Sequence, residues 1–137
     1  MRKAKFYLSQ VYRLDKLIDN KLIELNTLKE MGTSISAVNY DIKVKTSVHS
    51  DKVSNTIFKI IDLEENINED INKLVDIKKD VIETIDKIDD NDLKCLLQCR
   101  YLQFKTWEQI AVEMEFSYQW VHKLHARALD KIENLID

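Results

Sequence analysis

The sequence predicts an all-α protein in which a long helical hairpin or coiled coil precedes a C-terminal helix-turn-helix domain. Its 137 residues include no proline and a single glycine, whereas β-sheet folds and phosphate loops need both residue types for their turns. Apolar residues recur three and four positions apart over much of the chain, which is the period of an amphipathic helix. We assign residues 1–90 to the helical arm and residues 91–137 to the second domain.

The first predicted helix covers about residues 3–31. Lys21 interrupts its apolar stripe, whose regularly spaced members are Val11, Leu14, Ile18, Leu25 and Leu28. Gly32 occupies the position at which a left-handed C-cap commonly ends a helix. We therefore expect the helix to end there and residues 32–51 to form a flexible loop, in which residues 42–45 alternate as a short strand would.

The second predicted helix carries the clearest pattern in the sequence, an alternation of four-residue and three-residue spacings over residues 53–88. Only Glu64 and Lys78 break this heptad stripe, which comprises Val53, Ile57, Ile60, Glu64, Ile67, Ile71, Leu74, Lys78, Val81, Ile85 and Ile88. A helix of this length extends about 54 Å and must pack against something equally extended. The first helix is the nearest partner, and the remaining apolar surface predicts a homo-oligomer, with a dimer favoured.

Charge is distributed unevenly along the chain, although the formal net charge is only -3. Residues 1–31 carry seven basic and four acidic side chains, and residues 53–90 carry five basic and eleven acidic ones, so these segments should attract each other. Residues 91–137 carry six basic and seven acidic side chains, so nucleic-acid binding there would need a local basic patch.

The chain also shows no apolar run of about 20 residues and no signal-peptide core, which predicts a cytoplasmic protein without membrane association.

The C-terminal residues predict three further helices. Residues 89–92 offer N-cap oxygens for the first, and Thr106 with Gln109 forms a capping box that opens a short second helix ending near Met114. Ser117 then caps a final helix over about residues 118–135. By their period, the residues that face inward are Ile110, Ala111, Val121, Leu124, Leu129 and Ile132. A short helix, a three-residue turn and a long helix form a helix-turn-helix.

The same period places polar side chains on the outward face of the last helix. These residues are Tyr118, Gln119, His122, Lys123 and Ala126. The N-terminal residues of a recognition helix contact base edges in the major groove, where Gln pairs with adenine and Lys with guanine or phosphate. The pattern therefore favours DNA contact, while a solvated helix face remains the alternative.

Three segments carry a resemblance to a known family. Leu97-Gln98-Cys99-Arg100-Tyr101-Leu102, Thr106-Trp107-Glu108-Gln109-Ile110-Ala111 and the stretch from Ser117 to Ile132 look like the promoter-binding region 4 of primary-type sigma factors. Within that group they most closely resemble small phage regulators of the RinA and ArpU type, which have a sigma-region-4-like C-terminus. About 45 residues are covered by this resemblance, and the arm agrees only in its general pattern.

The resemblance implies a sequence-specific transcription regulator of phage late genes that binds double-stranded DNA and acts with host RNA polymerase in the bacterial cytoplasm. Residue-by-residue matching implies DNA contacts from Tyr118, Gln119, His122 and Lys123, and the candidate interface also includes Arg127, Thr106 and Ser117. Sigma factors usually carry Arg where this chain has Tyr118, Trp120 and His122, so its patch is less basic. For Trp120 two positions stay open, packing under the turn, which we favour, and stacking on a sugar of the DNA. We expect Trp107 to lie in or near the core. The chain also lacks the other sigma domains, which favours a regulator over a complete sigma factor.

Other classes of function find less support in the sequence. Cys95 and Cys99 lie on one helix and His122 and His125 on another, but this spacing is atypical for zinc, and we expect neither a metal nor a cofactor. No phosphate loop or metalloprotease motif is present, so we expect no enzyme activity. Two alternatives stay open, a small terminase-like subunit for DNA packaging and a sigma-like module that binds protein rather than DNA.

Overall fold

The computed structural model describes the backbone of residues 2–41 and 46–136 and the side chains of residues 3–32 and 52–136. Its helices are α1 (Arg2–Asp41), α2 (Thr46–Asp86), α3 (Asn91–Leu97), α4 (Trp107–Met114) and α5 (Tyr118–Leu135). A π-helical turn, Gln98–Leu102, continues α3 directly. Within the described backbone no residue forms a strand, which confirms the all-α class. None of the described helices combines the length and apolar content that a bilayer span requires.

Helix α1 continues through Gly32 to Asp41, so the prediction that it ends at residue 31 is wrong. Gly32 keeps a negative φ, and the predicted loop over residues 32–51 is replaced by helical backbone on both sides of the undescribed residues 42–45. A glycine inside a helix lowers helix stability by about 1 kcal/mol relative to alanine, and the stabilisation from tertiary packing readily exceeds this loss. A β-carbon built at Gly32 lies 3.5 Å from Thr56 Cγ2, so α2 packs beside this point of α1. The predicted strand at residues 42–45 lies outside the described residues.

Residues 16–72 form one of two compact units, here called the central unit. On α1, Gly32 lies beside Thr56 and Ile60 of α2. Lys21, which comes earlier on α1, bonds to Asn66 and Asp70, which come later on α2. The two helical segments of this unit therefore run antiparallel. Among the described side chains of this unit, the buried apolar ones are Ile18, Leu25 and Ile67. At one point of this unit the burial departs from the predicted heptad stripe: Asp70 is buried, whereas Ile71, which belongs to the stripe, is 40% exposed.

Residues 1–15 and 73–137 form the other compact unit, here called the terminal unit. Its core includes Ala4, Leu8 and Val11 from α1, joined to apolar side chains from α2 to α5. The fully buried members with the largest side chains are Leu8, Ile85, Leu96, Leu97, Ile110 and Ile132. This grouping differs from the predicted division at residue 90, because the last helices share a core with both ends of the predicted arm.

Short-range capping sets the limits of the last three helices. Asp90 Oδ1 accepts hydrogen bonds from the backbone N–H groups of Asp92 and Leu93 and thereby caps α3. Thr106 and Gln109 form the predicted capping box at the start of α4. Helix α4 ends at Met114, and Glu115 adopts a left-handed conformation with a φ of 58° that turns the chain toward α5.

Candidate nucleic-acid interface

The candidate residues of α5 lie on its first three turns. Tyr118, Gln119, Lys123 and Arg127 are exposed, while His122 is half-buried. Ala126, which the sequence placed on the same outward face, is also half-buried. On the opposite side of the helix, Val121, Leu124, Ala128, Leu129 and Ile132 are buried in the core. Amphipathic burial therefore orients α5 and leaves amide, ammonium and guanidinium donors available to a partner.

Thr106 and Ser117 are both exposed, and both act as helix caps. Thr106 Oγ1 accepts a hydrogen bond from Gln109 N at 3.2 Å, and Ser117 Oγ accepts one from Trp120 N at 3.1 Å. These bonds use acceptor positions of each oxygen, so each hydroxyl proton can still be donated outward. Thr106 therefore fixes where α4 begins, and Ser117 fixes where α5 begins.

A cluster of aromatic rings connects α4 with the first turns of α5. The Trp107 ring lies 4.9 Å from the His122 ring and 4.5 Å from the His125 ring, measured between centroids. Tyr118 packs edge-on against His122 at 4.5 Å. Trp107 is half-buried against the core, which agrees with its expected near-core position. The half-buried imidazole of His122 is therefore held between two aromatic side chains and next to the exposed face.

His125 is the electrostatically perturbed member of this cluster. Its Nε2 lies 2.6 Å from the Tyr101 hydroxyl, and burial together with the positive charges of Lys5, Arg100 and His122 lowers its pKa to about 4. Burial raises the pKa of Tyr101 to about 12. At neutral pH a neutral imidazole therefore meets a protonated phenol, which can donate its proton to an unprotonated Nε2. The Tyr101–His125 pair therefore packs on the inner side of α5 and does not present a charge to a partner.

Arginine side chains stack on both tryptophans. The guanidinium carbon of Arg127 lies 5.0 Å from the centroid of the Trp120 ring, and that of Arg100 lies 4.4 Å from the Trp107 ring. Trp120 is 36% exposed, so the expectation that it packs under the turn is not met. Its ring instead holds Arg127 on the surface of α5, which orients a cation on the candidate face.

The cysteine and histidine residues that suggested zinc do not form a common site. Cys95 is exposed and Cys99 is buried, and burial beside Cys95 raises the pKa of the Cys99 thiol. Among the residues with described side chains, no three His, Cys, Asp or Glu residues are grouped so that they could hold a metal ion.

A cleft of about 420 Å³ lies between the first turns of α1 and the residues that lead into α4. Its lining residues are Lys5, Ser9, Tyr12, Arg100, Tyr101, Phe104, Thr106 and Trp107. Phe104 adopts a left-handed conformation with a φ of 57°, and its ring packs edge-on against Tyr12 at 5.3 Å. Among these residues only Thr106 belonged to the candidate interface predicted from sequence. No local pattern could have joined Lys5 or Tyr12 to it, because they lie about ninety positions earlier in the chain.

Comparison with protein-family models, with curated proteins and with solved structures gives no match to this chain. Its chemistry is therefore defined by the side chains described above. The surface at the start of α5 offers hydrogen-bond donors, cations and aromatic edges, and no group of three His, Cys, Asp or Glu residues that could hold a metal ion occurs among the described residues. Such a surface is suited to binding a polar, anionic macromolecule.

Proposed function

We propose that this protein is a sequence-specific DNA-binding transcription regulator, of the kind its resemblance to phage late regulators and sigma region 4 implies. The observation that carries the proposal is the arrangement of α4 and α5. The two helices pack on each other across the residues 115–117, and α5 presents Tyr118, Gln119 and Lys123 to solvent at its start. This arrangement is the one expected of a helix-turn-helix with α5 as its recognition helix.

Each candidate side chain has a role in this proposal. Gln119 donates to N7 and accepts from N6 of adenine through its amide, and Lys123 donates to guanine acceptors or to a phosphate. Tyr118 contacts the edge of the groove, and His122 donates from an imidazole fixed between Tyr118 and Trp107. Arg127, stacked on Trp120, and the cap hydroxyls of Thr106 and Ser117 contact the phosphate backbone. Binding of RNA polymerase and control of phage late genes follow from the resemblance alone.

Exposed apolar side chains of the central unit support self-association. Among the described side chains of this unit, eight large apolar ones are exposed, namely Leu17, Leu22, Ile23, Met31, Ile57, Phe58, Ile61 and Ile71. In a single chain these side chains are exposed to water, and self-association would cover them. A homodimer would present two copies of α5 to a DNA site with two half-sites. A ring-shaped oligomer of more than two chains would favour the second candidate function, a small terminase-like packaging subunit.

Selection of bound duplexes from a random DNA pool by the full chain tests this proposal, with light scattering on the same sample. We expect recovery of one motif with two-fold symmetry and a mass of two chains. Because half-site spacing follows protein symmetry, the spacing should correspond to about one or two helical turns of DNA. Recovery of no motif, with duplex affinity indistinguishable from that of an unrelated acidic protein, would contradict DNA recognition and favour the protein-binding alternative.

A further inference from the structure

The cleft between α1 and the start of α4 contains two cations that converge from distant parts of the chain. Lys5 comes from the second turn of α1, and Arg100 comes from the π-helical turn before α4. Among the described side chains, no carboxylate lies within 4.0 Å of either cation in an ion pair. Both positive charges also contribute to lowering the pKa of His125, so both lie near its imidazole. The cleft is therefore a site of uncompensated positive charge.

Arg100 is held in a defined orientation within the cleft. Its Nη1 donates to the carbonyl oxygen of Lys105 at 3.0 Å, and its guanidinium lies over the Trp107 ring at 4.4 Å. Two hydroxyl groups, from Ser9 on α1 and Thr106 at the start of α4, line the same cleft. A fixed guanidinium, an ammonium and two hydroxyl donors together match the oxygen atoms of a phosphate group.

The cleft is continuous with the candidate face of α5 through the aromatic cluster. Arg100 contacts Trp107, Trp107 contacts His122, and His122 contacts Tyr118 at the exposed start of α5. In a helix-turn-helix complex the bases are read by the recognition helix, while neighbouring elements contact the sugar-phosphate backbone beside the groove. A duplex held on α5 therefore places its backbone near this side of α4.

We propose that α1 is part of the DNA interface and that Lys5, together with Arg100, binds a backbone phosphate of the duplex whose bases α5 contacts. This inference rests on the function proposed above. The Lys5 contact also adds positive charge, which residues 91–137 lack because their six basic side chains are outnumbered by seven acidic ones. Phosphate neutralisation provides much of the affinity for DNA, so a cation contributed from the other end of the chain compensates for the weakly basic C-terminal residues.

Salt dependence of duplex binding tests the inference with full-length Lys5→Gln. Lys5 is exposed, so this change removes a charge without removing core contacts. The probe is a mixed-sequence duplex of about three helical turns, measured between 50 and 300 mM salt, because a phosphate contact acts on every sequence alike. We expect the slope of log K against log salt to become shallower by about 0.9 and the affinity near 100 mM salt to fall several-fold. The matched control is Lys3→Gln, which removes the same charge from the same helix but lines a different cleft, with Tyr7 and Asp80.

Four outcomes would overturn the inference. An unchanged slope in Lys5→Gln, with normal binding by the wild type, shows that α1 does not contact phosphate and leaves the proposed function standing. An equal loss in Lys3→Gln shows a general effect of N-terminal charge. Saturable quenching of the wild-type tryptophan fluorescence by adenosine monophosphate, with the duplex affinity of Lys5→Gln equal to that of the wild type, identifies a free-nucleotide site instead. Absence of any duplex binding by the wild type overturns the proposed function, and this inference with it.

Discussion

The ammonium group of Lys21 on α1 forms a hydrogen-bonded ion pair with the carboxylate of Asp70 on α2. The Asp70 side chain is only 8% exposed and that of Lys21 21% exposed, so the pair lies largely within the helix–helix contact of the central unit. Lys21 also donates to Asn66 Oδ1, which satisfies a second of its three donor positions. The two charges depend on each other, because each would otherwise be buried without a partner.

Replacement of Lys21 by Ala should lower the free energy of unfolding by about 2 to 3 kcal/mol, since it leaves the Asp70 carboxylate buried and unpaired. The double variant Lys21→Leu with Asp70→Leu should recover most of that loss, because apolar side chains of similar size need no solvation. Denaturant unfolding measures both. The matched control is Lys29→Ala, because the Lys29–Glu64 pair is half-exposed with 4.0 Å between its charged atoms, and its loss should change stability by less than about 0.5 kcal/mol. Equal losses in Lys21→Ala and Lys29→Ala would contradict the buried role of Asp70.

The His125 imidazole predicts how stability depends on pH. Its pKa of about 4 in the folded protein lies below the ordinary value of 6.5, so the unfolded chain binds a proton first as the pH falls. The neutral, buried His125 therefore contributes about 2 to 3 kcal/mol to the free energy of unfolding. This contribution is fully present above about pH 6.5 and is lost as the pH falls from there toward 4. Thermal unfolding of His125→Gln at pH 7 and pH 5 measures it by comparison with the wild type. If the wild type loses stability between pH 7 and pH 5 and His125→Gln loses the same amount, groups other than His125 cause the loss.

Gly32→Ala should stabilise the protein by about 0.5 to 1 kcal/mol. Gly32 lies within α1 at a negative φ, and an added β-carbon makes only ordinary van der Waals contacts with Thr56 and Ile60, at 3.5 and 3.9 Å. Alanine is favoured over glycine in a helix interior because it loses less backbone freedom on folding. Denaturant unfolding measures the change. A loss of stability would indicate that the helix ends near Gly32, as the sequence pattern predicted.

Much of the terminal unit could be predicted from local sequence, because caps and apolar period are encoded within a few residues. Thr106 and Gln109 identified the start of α4, and Ile110 and Val121 were correctly expected in the core. The contribution of Leu8 to that same core could not be predicted, since it depends on which distant helix packs there.

The heptad stripe of α2 illustrates a second limit. Ile67, Val81 and Ile85 of this stripe are buried as its period predicts, whereas Ile71 is 40% exposed and the adjacent Asp70 is buried. The period cannot predict this exchange, because the burial of Asp70 depends on its ion pair with Lys21 on another helix. Residue type and period predicted the exposed face of α5, but they could not predict that Lys5 and Arg100 line one cleft.

The different exposure of Ile67 and Ile71 predicts different effects of the same substitution. Ile67 is buried, so Ile67→Asp should cost several kcal/mol and unfold the central unit. Ile71 is 40% exposed, so Ile71→Asp should cost the single chain less than about 1 kcal/mol while dissociating an oligomer that covers this face. Light scattering and circular dichroism on both variants separate the two effects. Retention of the oligomer in folded Ile71→Asp would exclude this face from the interface.

The recognition role of Gln119 is the central claim, and the base preference of Gln119→Ala tests it most directly. Binding of the wild type and the variant is measured on the duplex recovered by selection and on duplexes with each base pair replaced in turn. We expect Gln119→Ala to lose about 1 to 3 kcal/mol of discrimination at one base pair of each half-site, with preference elsewhere and helix content unchanged. Lys123→Ala should weaken binding as well, while Lys131→Ala, an exposed lysine near the other end of α5, should not. Unchanged binding and unchanged base preference in both Gln119→Ala and Lys123→Ala would contradict the assignment of α5 as a recognition helix.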